Sequence, residues 1–568
     1  MDQNDNIDNR TVVNDAHING NQNSNVINPN EVTVAGSGTQ MPQSTRISPN
    51  SKKKMSVGRI VWLSVLLIAL LTLVTTQILM VVAAIRSKMF PAGWLTGMIG
   101  SAVFISGSIA FLMFVRFKKP VGLARKIIAL ILVVVFVIPF YLGGRVTEDT
   151  RKTVEGSTGL TPQDIMEIYY SARGMYVLVL AEDPADSIQQ TIGYPYGVID
   201  NYNVTHTERA IQKVDEAVGG HVDITGFAKL TELGTALYQQ KVKAVIMNGV
   251  CIERLCEEKG YEDFTSRVRI LFEMSYNDLR DPDEKEPIQP KPLQPIPLNL
   301  TQVPFVFYLS GSDTRNNMLS VSRSDVNILV IVNPVTHQIL MVNTPRDYHV
   351  PNPVGDGALD KLTHCGLYGP QCSIQVLEDL YDVEVNFYGQ INFRGFETLV
   401  DAMGGVTVHS NQAFRAGSTY IQVGENYLDG AAALEYARER HHVSGGDNGR
   451  GENQMRLVKA MIEKLTSGTT ILTRYSEILG SLEGMFKTSA TADDISTLVR
   501  FQLDEMPSWN IQSYAVTGIA GNAPNYSSPG TTAYVTHIDQ ASVDYAAELI
   551  DRVCNGDILT AEDMKRPK

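Results

Sequence analysis

Arginine and aspartate residues recur in five short segments between residues 311 and 456. The segments are GSDTR (311–315), SRSDVNILVIV (322–332), TPRDY (344–348), ARERH (437–441) and DNGRGENQMR (447–456). Arginine carries a planar fork of donors that can bind phosphate oxygens bidentately, and carboxylates are ligands for the Mg²⁺ that neutralises a diphosphate. The set therefore predicts a site that acts on a diphosphate.

Three of these residues lie next to predicted strands. Asp313 follows the first strand of the region, Asp325 precedes the second, and Arg346 follows the third. Strand ends are where a rigid scaffold presents binding groups. We therefore expect the three side chains to project from one scaffold.

Two further pairs are spaced so that their side chains can act together. Arg438 and Arg440 are two residues apart and would share one side of an extended segment. Arg450 and Gln454 are four apart and would share one face of a helix. Taken singly, each arginine could instead form a surface ion pair, which contributes about 0–1 kcal/mol.

Three apolar runs, at roughly 60–85, 94–115 and 127–143, are each long enough to cross a hydrocarbon layer. Basic residues precede the first run and separate the second from the third: Lys52, Lys53, Lys54, Arg59, Arg116, Lys118, Lys119, Arg125 and Lys126. Cytoplasmic loops are the ones enriched in Lys and Arg. The N-terminus is therefore predicted to be cytoplasmic, and everything after Gly144 extracellular.

The chain divides into five predicted regions by composition and pattern. Residues 1–55 form a polar, disordered cytoplasmic tail, and 56–145 contain the three transmembrane helices. An extracellular α/β domain at 146–280 precedes a proline-rich linker at 281–304 and a second α/β domain at 305–568. The fold class is thus α/β behind a multi-pass cell-membrane anchor.

The acidic excess of the chain, 61 Asp and Glu against 48 Lys and Arg, lies in its extracellular part. Residues 51–145 contain Lys and Arg but neither Asp nor Glu. A strongly acidic domain would be repelled by a phosphate backbone, which argues against nucleic-acid binding. Among five cysteines, Cys365 and Cys372 are close enough in sequence to form a disulfide on an oxidising cell exterior. The alternative is that both remain thiols.

The order and wording of the motifs resemble the LytR–CpsA–Psr (LCP) family of cell-wall enzymes. The resemblance covers residues 305 to about 466, and three spans with an extra domain are similar to capsule-type members. Besides GSDTR, SRSD, PRD and the D-x-x-R…Q helix start, the shared segments are KLTHCGLYG (361–369), FRGFETLVDAMGGVTV (393–408) and LDGAAALEYARER (428–440). One departure is Asn453, where many family members have a further arginine.

The resemblance implies a mixed central sheet covered by helices and a phosphotransferase activity. Such enzymes move an anionic glycopolymer, of the capsule or teichoic-acid type, from a polyprenyl-diphosphate carrier in the membrane lipid to a peptidoglycan sugar hydroxyl. Capsule or wall-polymer assembly proteins are possible partners. Asp313 and Asp325 would hold Mg²⁺ or Mn²⁺. The catalytic residues would be Arg323, Asp325, Arg346, Arg438 and Arg440, and the diphosphate would contact Arg323, Arg346, Arg438, Arg440, Arg450 and Gln454.

Two other functions stay open at this point. The same site could hydrolyse a polyprenyl diphosphate as a phosphatase, or bind it without turnover as an envelope regulator or attenuator. The prenyl tail also needs an apolar slot. Leu329, Ile331, Leu340 and Val342 of the 327–343 hairpin could line it, or could be ordinary core residues.

Overall fold

The computed structural model describes residues 56–115, 121–157, 162–280, 299–312, 322–355, 357–467, 478 and 485–566. The predicted tail at 1–55 lies outside these residues, as does most of the predicted linker (281–298). Asp313, predicted to bind a metal ion, also lies outside them.

Three apolar helices begin the described chain: α1 (Val57–Ser87), α2 (Ala92–Phe114) and α3 (Val121–Ser157). Each is long and apolar enough to cross a membrane, as predicted. Leu73 of α1, Ile109 of α2 and Val133 of α3 pack in one buried cluster. The third helix continues beyond its apolar run, so the predicted boundary at residue 145 falls within a helix.

The small α/β domain contains a five-stranded sheet in the order β3-β2-β4-β1-β5. Its elements are α4 (Pro162–Arg173), β1 (Met175–Leu180), β2 (Pro195–Ile199), α5 (Val204–Val218), β3 (Asp223–Phe227), α6 (Leu230–Tyr238), β4 (Ala244–Asn248), α7 (Gly249–Cys256), α8 (Phe264–Arg267), β5 (Val268–Met274) and α9 (Tyr276–Leu279). The apolar strands β1 and β4 are buried along almost their whole length, because helices cover the sheet. Strands β2 and β5 were not predicted.

The larger domain is a mixed sheet in the order β16-β11-β6-β7-β8-β17. Its first elements are β6 (Phe305–Ser312), β7 (Ser324–Asn333), β8 (Gln338–Asn343), β9 (His349–Pro351), β10 (Leu359–Lys361), α10 (Leu362–Cys365), α11 (Pro370–Tyr381), β11 (Phe387–Asn392), α12 (Phe393–Ala402), β12 (Val406–Ser410), β13 (Phe414–Ala416), β14 (Thr419–Ile421) and β15 (Gly424–Leu428). There follow α13 (Gly430–Arg438), α14 (Asp447–Thr466), β16 (Phe486–Thr488), α15 (Ala492–Glu505), β17 (Asn510–Ala515), β18 (Gly518–Asn525), β19 (Ser528–Ile538) and α16 (Gln540–Cys554). Strands β6 and β11 are parallel, as are β8 and β17, and the remaining pairs are antiparallel. The predicted α/β class with a mixed, helix-covered sheet is confirmed.

The two faces of this sheet pack against different helices. Leu329 and Leu340 belong to a fully buried cluster that includes residues of α11 and α16, whereas Ile328 and Met341 pack with Met455 of α14. Side chains alternate between the faces of a strand, so neighbouring residues enter different cores. The alternation matters because the cavity described below lies on the α14 face.

The two α/β domains share a hydrophobic core. Tyr169, Val250 and Tyr276 of the small domain belong to the same buried cluster as the β7, α11 and α16 residues of the large one. In the opposite direction, Tyr526 of the large domain packs against the small domain's core, with its ring centroid 5.4 Å from that of Tyr202. We therefore expect the two α/β domains to unfold together.

Replacing Tyr276 tests this shared core. Its ring is fully buried, stacks on Tyr170 and lies 4.1 Å from the Arg173 guanidinium. We expect Tyr276→Ala to lower the free energy of unfolding by about 3–5 kcal/mol, because a large buried side chain leaves a cavity. Calorimetry of the variant should still show a single unfolding transition, because the two domains unfold together. Tyr420→Ala, at an exposed ring, is the control; two separate transitions would contradict the shared core.

Candidate functional site

A cavity of about 720 Å³ lies between the sheet and helices α12, α13 and α14. Its volume is in the usual range for a small-molecule site. The polar and charged part of its lining comprises Ser310, Arg323, Asp325, Arg346, Asn392, Arg438, Glu439, Arg440, His441, Arg450 and Gln454. The apolar part comprises Leu309, Val326, Ile391, Phe393, Phe396, Leu399, Leu434, Ala437, Leu457, Val458, Met461, Ile462, Leu465 and Phe486. One cavity therefore combines a group of arginines with an extensive apolar wall.

The topology of the sheet explains why distant segments meet at the charged part. Strands β6, β8 and β11 end at the same edge of the sheet, and β7, antiparallel to its neighbours, begins there. Asp325 therefore stands near the start of β7, Arg346 shortly after β8, and Asn392 at the end of β11. The last of these accepts a hydrogen bond from the Gly395 amide and starts helix α12 beside the cavity.

Asp325 and Arg346 form the central ion pair of the site. Nη1 of Arg346 donates to Oδ1 of Asp325 at 2.5 Å, and the Thr363 hydroxyl donates to the same oxygen at 3.3 Å. Both charged side chains are largely buried, at 13% and 17% exposure. A pair this shielded from water is unlike the exposed ion pairs that the sequence left open as an alternative.

Asp347 is the second carboxylate near Arg346, and it is not among the cavity-lining residues. Its carboxylate accepts from Lys361 at 2.9 Å and lies 3.9 Å from Nε of Arg346. Burial raises the pKa of Asp347, but the attraction of Arg346 and Lys361 outweighs it and lowers the pKa overall. A charged carboxylate thus lies within ion-pair distance of the Arg346 guanidinium.

Arg450 and Gln454 lie on one face of α14, as their spacing predicted, and both line the cavity. Nη2 of Arg450 is 2.5 Å from Oδ1 of Asp447, and the Gln454 amide donates to the Ala437 carbonyl at 3.1 Å. Burial lowers the pKa of Arg450; Asp447 opposes this shift, and repulsion from Arg346 adds to it. Arginines crowded in this way would be stabilised by an anion between them.

Arg438 and Arg440 flank the point where α13 ends. Arg438 is the last helical residue, rather than part of an extended segment as predicted, and its guanidinium lies 4.5 Å from the Phe393 ring centroid. Glu439 has extended backbone and accepts from the His441 and His442 amides, at 2.7 and 2.9 Å. Burial raises the pKa of Glu439, but these hydrogen bonds outweigh it, so that its pKa is lowered. The turn places both arginines on the cavity.

A sequence model of the LytR-CpsA-Psr family matches residues 272–545, which contain all of the cavity-lining residues. Residues 272–545 therefore form a region that is similar to the LytR-CpsA-Psr family. The match also extends into the last strand of the small domain and through hairpin β18–β19.

Several relatives of the chain are named as transferases. The polyisoprenyl-teichoic acid–peptidoglycan teichoic acid transferase TagU of Oceanobacillus iheyensis is 36% identical over 198 residues, which is 34% of this chain and 60% of TagU. TagU of Bacillus subtilis is 31% identical over 211 residues, 37% of this chain and 63% of TagU. The chain thus spans less than two thirds of the length of these curated relatives.

Solved structures show the same likeness. The crystal structure of B. subtilis TagU is 25% identical, with a TM-score of 0.35 over 46% of this chain and 100% of that one. A structure described as TagT bound to LIIa-WTA is also 25% identical, with a TM-score of 0.36 over 45% of this chain and 92% of that one.

The cavity brings together seven of the eight site residues predicted from the family resemblance. They are Arg323, Asp325, Arg346, Arg438, Arg440, Arg450 and Gln454. The eighth, Asp313, lies outside the described residues. Asn453 is buried and accepts from Arg456 at 2.9 Å, and it is not among the lining residues.

Of the two alternatives left open for the 327–343 hairpin, the structure supports ordinary core packing. Leu329, Ile331, Leu340 and Val342 are fully buried in the core against α11 and α16. The apolar wall of the cavity comes instead from α12 and α14 and from strand residues whose side chains lie on the other face of the sheet, such as Val326. The apolar faces of those two helices were the signal available in the sequence. Glu439, between two predicted arginines, was also missed.

The magnesium prediction stays a prediction, whereas the structure describes the state of the two cysteines. Within the described ranges, no group of three or more His, Cys, Asp or Glu side chains is arranged to hold a metal ion. Asp325 offers a hard oxygen donor at the cavity, which fits one ligand of Mg²⁺. Cys365 and Cys372 are buried free thiols in the structure, and the hydrogen bond of the Cys365 thiol with Cys372, together with burial, raises the pKa of Cys365.

Proposed function

We propose that the protein is a membrane-anchored phosphotransferase that moves an anionic glycopolymer from a polyprenyl-diphosphate carrier to a peptidoglycan sugar hydroxyl. The observation that carries this proposal is the composition of one cavity, in which five arginines adjoin an apolar wall. A lipid-linked diphosphate has two parts that match them: an anionic head group for the arginines and an apolar chain for the wall. The names of the TagU relatives, which include a polyisoprenyl-linked donor and peptidoglycan, support it.

The arginines suit the charge that develops during phosphoryl transfer. When a sugar hydroxyl attacks the phosphorus next to the glycopolymer, a phosphorus–oxygen bond forms and the bond to the bridging oxygen breaks. Polyprenyl phosphate leaves with the electron pair, and the hydroxyl proton passes to a carboxylate, for which Asp325 and Asp313 are the candidates. Arg346 and Arg450, which pair with Asp347 and Asp447, stabilise the developing charge without having to reorganise.

A divalent metal ion would share this task. Mg²⁺ binds one or two carboxylates together with substrate phosphates, and Asp325, with Asp313 as its proposed partner, would hold it at the diphosphate. Such an ion neutralises phosphate charge when bound.

The contacts of the membrane helices support access from the lipid. The turn after α1 packs on α15: Lys88 pairs with Asp493 at 2.6 Å, and the Ser496 hydroxyl donates to the Ser87 carbonyl at 3.1 Å. Helix α3 contacts α15 and β16, the strand that supplies Phe486 to the apolar wall. The prenyl chain can therefore reach that wall directly from the membrane. We infer that the α1–α2 turn and the large domain lie on the same, extracellular side of the membrane.

The apolar wall should make binding depend on prenyl chain length. Burial of each methylene contributes about 0.8 kcal/mol, so each added isoprene unit should strengthen binding of a prenyl diphosphate at least about tenfold even when much of this gain offsets the ordering of the chain. We expect Val458→Trp, which fills the cavity beside α14, to abolish the gain in affinity with chain length. The affinity for short-chain diphosphates should stay unchanged.

Titration with diphosphates carrying C5, C10 and C15 chains measures this dependence. Val335→Trp, the same substitution at an exposed turn between β7 and β8, is the matched control. Equal affinities for all three chain lengths in the unmodified protein would exclude the apolar wall as the prenyl site.

Purified full-length protein in detergent tests the reaction itself. We expect a polyprenyl-diphosphate oligosaccharide, Mg²⁺ and peptidoglycan oligomers to yield polyprenyl phosphate and a glycan–phosphate–peptidoglycan product in equal amounts. Release that is independent of the acceptor would identify a polyprenyl-diphosphate phosphatase. Binding without any release would identify a regulator.

A further inference from the structure

We propose that Glu257, in the small α/β domain, is a positioning residue for Arg323 in the cavity of the large domain. The inference rests on the proposed function, because it assigns Arg323 to phosphate binding. It gives the small domain a direct part in the reaction, beyond a role as spacer or tether.

The contact between the two residues is short and crosses the domain boundary. Nε of Arg323 lies 2.8 Å from Oε1 of Glu257, which directly follows helix α7. Arg323 lines the cavity and stands one residue before β7. The two side chains are 22% and 24% exposed, so water screens the pair only partly.

A second arginine holds the other oxygen of the same carboxylate. Oε2 of Glu257 pairs with Nη1 of Arg254, one turn earlier on α7. Arg254 is 12% exposed, and its Nε donates to the Ser528 hydroxyl of β19 at 3.1 Å. The carboxylate is thus fixed from both domains, with one oxygen for each guanidinium.

The surrounding packing keeps Glu257 at this place. Residues of α4, α7 and α9 enter the core of the large domain, and Tyr526 beside β19 enters the core of the small one. Opening the contact would require separating these buried surfaces, so the ion pair is a fixed feature of the two α/β domains.

An arginine held in advance binds an anion at lower cost. Ordering a long charged side chain costs rotamer entropy, and Arg323 has already lost that entropy in its ion pair. The carboxylate also offsets repulsion among the five arginines before the substrate arrives. An Arg323 side chain ordered by Glu257 should therefore bind the diphosphate better than an Arg323 without that ion pair, which would carry a larger net positive charge but would be disordered.

A double-mutant cycle in the full-length protein tests this role. We measure binding of a C15 prenyl diphosphate and release of polyprenyl phosphate for Glu257→Ala, Glu257→Gln, Arg323→Ala and the double variant. Glu257→Ala is expected to weaken binding about fivefold to twentyfold, and Glu257→Gln, which keeps an acceptor oxygen, to weaken it less. In the Arg323→Ala background, Glu257→Ala should have no further effect.

Glu258→Ala is the matched control, because this neighbouring carboxylate pairs with Arg254 at 3.8 Å and is more exposed. Equal losses from Glu257→Ala in both backgrounds would mean that Glu257 only stabilises the domain contact, and would overturn the proposal. Unchanged or tighter binding by Glu257→Ala would overturn it too. Failure of the proposed function would show differently, as lack of polyprenyl phosphate release by the unmodified protein.

Discussion

Arg346→Ala should lower the rate of glycopolymer transfer by about 10²–10³-fold, the usual effect of removing one preorganised group that stabilises developing charge. Arg346 lines the cavity, donates to Asp325 at 2.5 Å and lies within ion-pair distance of Asp347. Arg346→Lys should recover only part of the loss, because an ammonium group lacks the bidentate fork. Release of polyprenyl phosphate by the purified protein measures both variants.

Arg346→Ala also removes the ion-pair partner of the largely buried Asp325 and Asp347 carboxylates, which can destabilise the fold. Thermal unfolding is therefore measured together with activity. Arg415→Ala provides the control, since this exposed arginine donates only weakly to the nearby Gly417 and Ser418 carbonyls. Full activity of a folded Arg346→Lys protein would argue that the positive charge alone matters, and would count against bidentate binding.

Asp325→Asn is expected to lower transfer by about 10²–10⁴-fold, the range for loss of a group that accepts a proton in the transition state. If the same carboxylate also holds Mg²⁺, the concentration of Mg²⁺ needed for half-maximal activity should rise as well. Activity measured across a Mg²⁺ titration separates the two contributions, because saturating metal would restore only the binding defect.

Asp544→Asn, on the exposed face of α16, controls for the amide substitution, as its carboxylate bonds only locally to Gln540. An Asp325→Asn protein with an unchanged rate and an unchanged Mg²⁺ dependence would remove this residue from both roles. Asp313 would then be the remaining carboxylate of the proposal.

The membrane helices and the principal strands and helices were predictable because local pattern determines them. The apolar run of α3 and the Val- and Ile-rich sequence of β7 are continuous apolar segments, which indicate a helix or a strand rather than a loop. Short strands such as β13 and β14 were missed, since three residues carry too little periodicity. These strands depend on packing against α13 rather than on their own preference.

The charged part of the site was predictable for a different reason. Its residues stand at strand and helix ends, where position in the sequence already indicates which edge of the sheet they reach. The apolar wall was not, because the alternation of β7 and β8 leaves two equivalent faces, and the sequence does not say which one meets α14. Leu329 and Ile328 are adjacent, yet they enter different cores. Glu257 was beyond prediction, since only domain packing brings it to Arg323.

Photo-cross-linking with a polyprenyl diphosphate that carries a reactive group on its prenyl chain tests the central claim, that one cavity holds both parts of the carrier. Labelling should fall on peptides from α12 (Phe393–Ala402) and α14 (Asp447–Thr466), and an unlabelled prenyl diphosphate should compete for it. The same labelling should decrease in Arg346→Ala, because the head group then loses its anchor. Labels confined to the membrane helices, and unaffected by the competitor, would contradict the account.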